Sequence, residues 1–282
     1  MQINIIKPEK ILARTQIDLA DFAINPYRGC EFGCRYCYAQ ENKNIKKRKQ
    51  QWGSFVDIKD GASLVLLQEL SSRTPRRVIM GTTTECFQPQ EKKFKITKAI
   101  LEILKKNNVP VVILTKSTLI EEYIHLLNYN PANKIYFTVM FSDNTIKALL
   151  EQKTPDIQQR IKTIQKLIER RIPVKIHIGP FMPGLENLKH LFSLIPKSIQ
   201  EVEIEIYNSK MGRFAEILTI VKEHISLDAA QIIQDAYSSN DNYNTFCSHV
   251  IKETHALNEL YNFKVNFIIP DYNNWYNDKI KY

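Results

Sequence analysis

Apolar, β-rich runs alternating with amphipathic helical repeats predict an α/β fold: a partial, open (β/α)6 barrel of the TIM type with a C-terminal helical and strand extension. Residues 78–80, 109–114, 135–141, 174–178 and 202–207 have the composition of short strands. Between them apolar residues recur at helical spacing. Ile96, Ala99, Ile100, Ile103 and Leu104 line one face, as do Ile157, Ile161, Ile164, Leu167 and Ile168, and then Phe214, Ile217, Leu218, Val221 and Ile225. No internal repeat, low-complexity tract or Gly/Ser-rich linker interrupts the series. Such βα alternation implies a parallel sheet with helices packed outside it. About six units fit between residues 21 and 226, two short of a closed eight-fold barrel.

The elements follow in order. The runs at 78–80, 109–114 and 135–141 are continuously apolar, as expected of parallel strands covered on both faces. The run EVEIEIY at 201–207 instead alternates charged and apolar residues. It is expected to be the last strand of the sheet with one wet face, although Glu203 and Glu205 could instead face a polar barrel interior and meet substrate. The core domain is placed at 1–226. The extension, 227–282, is expected to be helical over 227–262 and strand-like over 263–269, and to cap the open barrel.

Composition narrows the function classes. The 282 residues are 44% hydrophobic and 10% aromatic, enough for a buried core. The first residues contain no apolar h-region or cleavage site, and no run approaches the ~18 apolar residues of a membrane span, so a soluble cytoplasmic protein is expected. Of the five cysteines, three fall between positions 30 and 37, a grouping that suits metal or redox chemistry rather than a disulfide framework. The net charge of +9 is one-sided: residues 1–141 carry 22 Lys+Arg against 13 Asp+Glu, and residues 142–282 carry 17 of each. The excess gathers at Lys43, Lys46, Lys47, Arg48 and Lys49, at Arg73, Arg76 and Arg77, and at Lys92, Lys93, Lys95 and Lys98. It suits a phosphate-bearing substrate such as DNA or RNA, or equally a solvated basic loop.

The chemistry concentrates in NPYRGCEFGCRYCYAQ, residues 25–40. The spacing Cys30-x3-Cys34-x2-Cys37 lets three thiolates converge on one metal centre, with Gly29 and Gly33 supplying the positive φ that so tight a wrap needs. Four cysteines would saturate a four-iron cluster, whereas three leave one iron open for an exchangeable ligand. The alternative is a zinc site completed by Cys86, Cys247 or a histidine, but zinc sites usually show a second Cys-x2-Cys pair and this chain has none.

This signature, with Tyr36 before its last cysteine, resembles that of the radical S-adenosylmethionine (SAM) superfamily. NPYRGC and YCYA are similar to the spore photoproduct lyase-like branch of it. GTTTECFQPQEKKFKITKAILEIL at 81–104, VVILTKS at 111–117 and PVKIHIGPFMPGLEN at 173–187 resemble that branch's later blocks, in the right order, so the resemblance covers residues 22 to 187. It implies a 4Fe-4S cluster on Cys30, Cys34 and Cys37. SAM would bind the open iron through its amino and carboxylate groups and be cleaved to methionine and a 5′-deoxyadenosyl radical. A reductase or a flavodoxin- or ferredoxin-type electron donor would serve as partner. It further implies that Lys116 pairs with the SAM carboxylate, that Thr84 and Ser142 contact SAM through their hydroxyls, that Tyr36 meets the adenine and that Tyr38 relays a hydrogen atom.

Each of these residues has an ordinary structural alternative: a lysine whose amine reaches solvent, helix N-caps at Thr84 and Ser142, packing aromatics at 36 and 38. The chain also departs from the family pattern. Phe32 stands where His is frequent, and Glu85-Cys86-Phe87 stands where Asp-Pro-Tyr is usual. The hydrogen-donating cysteine of true lyases registers on Thr82, which carries no thiol. Cys86, four residues further on, is the remaining candidate donor, and a buried packing residue otherwise. The expected function is thus a radical SAM enzyme modifying or repairing a nucleic acid. The alternatives are radical modification of a peptide or protein, and a non-catalytic iron–sulfur or zinc protein.

Overall fold

A computed structural model describes residues 1–273. Strands β1 (Gln2–Ile6), β4 (Tyr27–Arg28) and β5 (Phe55–Lys59) form a small sheet, while β2 (Ala13–Arg14) and β3 (Phe22–Ile24) begin the large one. The large sheet continues through β6 (Val78–Met80), β7 (Val111–Thr115), β8 (Lys134–Thr138), β9 (Val174–Phe181), β10 (Glu201–Ile206) and β11 (Lys264–Ile268). From β3 to β11 every neighbouring pair is parallel, and only β2 runs antiparallel at the other edge. The helices in chain order are α1 (Lys43–Lys46), α2 (Ala62–Leu70), α3 (Glu91–Phe94), α4 (Ile96–Lys106), α5 (Asn144–Leu150), α6 (Ile157–Glu169), α7 (Leu188–Leu194), α8 (Phe214–His224), α9 (Leu227–Ala236) and α10 (Asn240–Tyr261). The crossover between β7 and β8 is a 3₁₀ segment, Thr118–Leu126. The fold is therefore an α/β open barrel of the partial TIM type, as the sequence predicts.

The helices follow the apolar stripes, and some of them begin at a side-chain cap. In α6, Ile157, Ile161, Ile164 and Leu167 are buried, and Asp156 and Gln159 close a reciprocal capping box at its start. In α4, Ile100, Leu101 and Leu104 are buried against the sheet. The main core lies between these helices and one face of the sheet, including Ile113, Phe137, Ile176 and Ile204. On the opposite face, which lines the open barrel, Ala23, Ile79, Val112 and Tyr136 form a smaller apolar cluster.

One expectation is overturned. Strand β10 is not the edge of the sheet, because β11 pairs with it in parallel from Glu201↔Lys264 to Glu205↔Ile268. The alternation has another cause. Val202, Ile204 and Ile206 are buried, whereas Glu201 and Glu205 meet Lys175 and His177 of β9 across the strand pair. A charged residue is tolerated in a central strand when a cross-strand partner satisfies it. The expected extension supplies α9, α10 and β11, so its strand belongs to the same sheet as the core; its residues 274–282 lie outside the described residues.

Candidate active site

Strand β4 turns into the cysteine loop at Gly29. Gly29 and Gly33 both have positive φ, +84° and +61°, as the tight wrap requires. There is also no room for a side chain: a Cβ on Gly29 would lie 2.6 Å from the Phe55 carbonyl oxygen, and one on Gly33 3.0 Å from the Gly53 Cα. The loop is pinned from several sides. Gly33 N–H donates to the Cys30 carbonyl and Cys37 N–H to that of Cys34. Thr84 Oγ1 donates to the Gly29 carbonyl at 2.6 Å, Glu31 N–H to Gln88 Oε1 at 2.8 Å and Arg35 N–H to the Leu150 carbonyl at 2.9 Å.

Cys30 and Cys34 are buried and Cys37 is half-buried, all three as free thiols. Burial pushes each thiol up to about 12. Repulsion from a neighbouring thiol adds to this: Cys37 on Cys30, Cys30 on Cys34, and Cys34 on Cys37. Without a cation the three would stay protonated, and a bound cation is what would draw off their protons. Three thiols on one short loop are the donor type that iron–sulfur groups take. Among the described residues, no group of three or more His, Cys, Asp or Glu side chains has the arrangement that would hold a single metal ion.

Lys116 follows β7 directly. Its backbone N–H donates to Glu85 Oε2 at 3.0 Å, and Glu85 Oε1 accepts from Thr115 Oγ1 and Phe87 N–H, so the buried Glu85 fixes the end of the strand. The Lys116 ammonium counteracts the burial-driven rise of the Cys34 and Cys37 thiols. Its Nζ lies 4.0 Å from Glu151 Oε1 and 5.8 Å from the centroid of the Tyr36 ring. Glu151 is fully buried and also binds Arg160, itself fully buried, and the Tyr36 hydroxyl. Burial opposes its ionisation, but Arg160 and then Lys116 outweigh that and hold the carboxyl below its ordinary range. Arg160 in turn donates to the Thr138 carbonyl at the end of β8 and to the Pro155 carbonyl. Neither Glu151 nor Arg160 stands out in the sequence. Arg160 sits on the apolar stripe of α6, between Ile157 and Ile161, and that position is the one available signal.

The other candidates surround this loop. Thr84 is buried, and its hydroxyl both donates to Gly29 and accepts from Gln88 Nε2 at 3.2 Å. Ser142 binds Glu186 through its N–H at 2.6 Å and its Oγ at 2.7 Å, and Asp143 rather than Ser142 caps α5. Tyr38 keeps 44% of its surface exposed, and its hydroxyl donates to the Thr82 carbonyl. The Tyr38 ring thus reaches the backbone of the lyase donor position. Asn25, which opens the NPYRGC motif, donates to Thr82 Oγ1 and accepts from Thr83 N–H, joining the two motifs. Cys86 is fully buried, 3.6 Å from where a Cβ on Gly81 would stand, which favours its packing role. Of the basic run, Arg48 is engaged with the buried Asp57 and lies over the Phe55 ring, while Lys43, Lys46, Lys47 and Lys49 are exposed.

A family model described as the Radical SAM superfamily matches residues 24–193, and the chain belongs to that superfamily. Among solved structures it is similar to spore photoproduct lyase complexed with dinucleoside spore photoproduct, with a TM-score of 0.56 and 16% identity over 72% of this chain and 61% of that one. It is also similar to Streptococcus suis SuiB bound to S-adenosylmethionine, with a TM-score of 0.53 and 12% identity over 88% of this chain and 50% of that one. Both likenesses show a shared fold, and in both cases the chain spans less than two thirds of the other's length. An uncharacterised protein of Methanocaldococcus jannaschii is 27% identical over 216 residues, 76% of this chain and 80% of that protein. An uncharacterised protein of Mycobacterium tuberculosis is 27% identical over 183 residues, covering 62% of this chain and 54% of that protein. Among the described residues no helix is long and apolar enough to cross a membrane.

Proposed function

We propose that this radical SAM protein holds a 4Fe-4S cluster on Cys30, Cys34 and Cys37, binds SAM beside it, and acts on a nucleic-acid substrate. The observation that carries the reading is the gathering of Cys30, Cys34 and Cys37 on one loop that Thr84, Gln88 and the Leu150 carbonyl hold in place. When bound, the cluster and SAM supply a 5′-deoxyadenosyl radical. This chain's residues do the rest. Lys116, fixed through its backbone by Glu85, presents its ammonium for the SAM carboxylate while Glu151 holds it in place. Tyr36, tied by its hydroxyl to Glu151, offers its ring face and backbone to the adenine. Thr84 contributes by bracing Gly29, and Ser142 together with Glu186 offers polar atoms on the same rim. Of the two candidate hydrogen-relay groups, exposed Tyr38 suits the role better than buried Cys86. The basic first half, with its exposed lysines, supports a phosphate-bearing substrate, and an electron donor of flavodoxin, ferredoxin or reductase type completes the proposal.

The cofactor is tested by anaerobic reconstitution. Four irons and four sulfides per chain are expected, with loss of the cluster in Cys30→Ala, Cys34→Ala and Cys37→Ala. Stoichiometric zinc with no cluster absorbance would overturn the reading.

A further inference from the structure

The inner face of the open barrel carries a polar group that the cofactor proposal leaves unused. His177 of β9 lies between Thr138 of β8 and Glu205 of β10: its Nδ1 is 3.4 Å from Thr138 Oγ1 and its Nε2 3.0 Å from Glu205 Oε2. The register of β9 and β10 shifts between Ile204 and Ile206, and such an irregularity re-aims the side chain at its centre, here Glu205. Gly179 leaves the space. A Cβ there would stand 2.6 Å from the His177 ring and 2.9 Å from the Glu205 Cβ. Glu205 and His177 side chains remain 31% and 16% exposed, so solvent and ligands reach them. Glu205 Oε1 carries no hydrogen bond among the described residues. The pair is tied to the candidate site through Thr138, whose carbonyl accepts from Arg160, the partner of Glu151.

We infer that Glu205, positioned by His177, is a substrate-recognition residue that accepts a hydrogen bond from the N–H edge of a nucleobase turned into the barrel. Every nucleobase offers such a donor on its pairing edge, and a fixed carboxylate is its acceptor counterpart. The lysines outside would hold the phosphates while Glu205 meets the base. The inference rests on the nucleic-acid reading of the site and adds a base contact to it.

Phosphate and base contacts separate by their salt dependence, because only the former release counterions. The probes are a labelled single-stranded DNA octamer of mixed sequence and an abasic octamer with the same phosphates, titrated against anaerobically reconstituted protein. Wild-type protein is expected to prefer the base-bearing strand by about ten-fold, the loss expected when a charged hydrogen-bond partner is removed. Glu205→Gln should lose that preference with an unchanged salt slope, and Gly179→Ala, which crowds the pair, should do the same. Full preference in Glu205→Gln, or none in wild type, would overturn the inference. Binding of neither strand while SAM is still cleaved would remove the nucleic-acid reading and the inference together. Failure of SAM cleavage would instead count against the cofactor reading.

Discussion

Glu151 shows how a buried charge can hold a site together. Removing its charge in Glu151→Gln would strand the fully buried Arg160 and release the Tyr36 hydroxyl. Breaking a buried pair in this way costs about 3–5 kcal/mol, to be read from denaturant unfolding at pH 7. The sign with pH follows from the depressed carboxyl. Its contribution is present above the ordinary value of 4.5 and is lost as pH falls through the lower folded value. Wild-type protein should therefore lose stability on acidification below about pH 4.5 by an increment that Glu151→Gln lacks. Lys116→Ala is a different experiment at the same spot. Arg160 still compensates Glu151, so the fold and cluster should persist while SAM affinity falls ten- to hundred-fold, about 1.5–3 kcal/mol. Unchanged affinity would take Lys116 out of the site. Cys86→Ala should keep cluster and SAM cleavage, and an altered product distribution would return Cys86 to the hydrogen relay.

At the scale of elements, strands and helices are legible in the sequence because both faces of the sheet leave a pattern. Apolar runs mark β6, β7 and β8, and stripes at helical spacing mark α4, α6 and α8. Strand β10 is the exception, because its charged positions look like an exposed face until the partners on β9 are known. Local spacing cannot reveal a partner 26 or 28 residues away. The same limit hides Glu151 and Arg160, whereas the cysteine loop is legible because its cysteines and glycines sit within nine residues, 29–37. The segment that follows gives a prediction of its own. Lys46→Glu with Lys47→Glu, both exposed in and just after α1, should weaken nucleic-acid binding and lower the salt slope by ~0.7 for each single-strand phosphate left without its lysine. Arg48→Glu should instead destabilise the fold, since it breaks the pair with fully buried Asp57. A slope unchanged in the lysine double variant would leave the basic run as a solvated surface.

For the whole molecule, the barrel brings the ends of β3, β6, β7 and β8 to one rim, and with them the cysteine loop, the GTTTE loop, Lys116 and Ser142. On the inner face Ala23, Ile79, Val112 and Tyr136 are buried, whereas His177 and Glu205 keep part of their surface exposed. The polar inner wall of β9 and β10 then becomes part of the site rather than its boundary. The excess of positive charge lies in the half of the chain that carries the cysteine loop. Radical chemistry at this rim is tested most directly by measuring 5′-deoxyadenosine formed from SAM by anaerobically reconstituted protein under strong reductant. Wild-type protein is expected to cleave SAM, and Cys30→Ala, Cys34→Ala and Cys37→Ala are each expected to leave it intact. Cleavage that survives removal of any one of these cysteines, or a cluster-loaded wild-type protein that leaves SAM intact, would contradict the assignment.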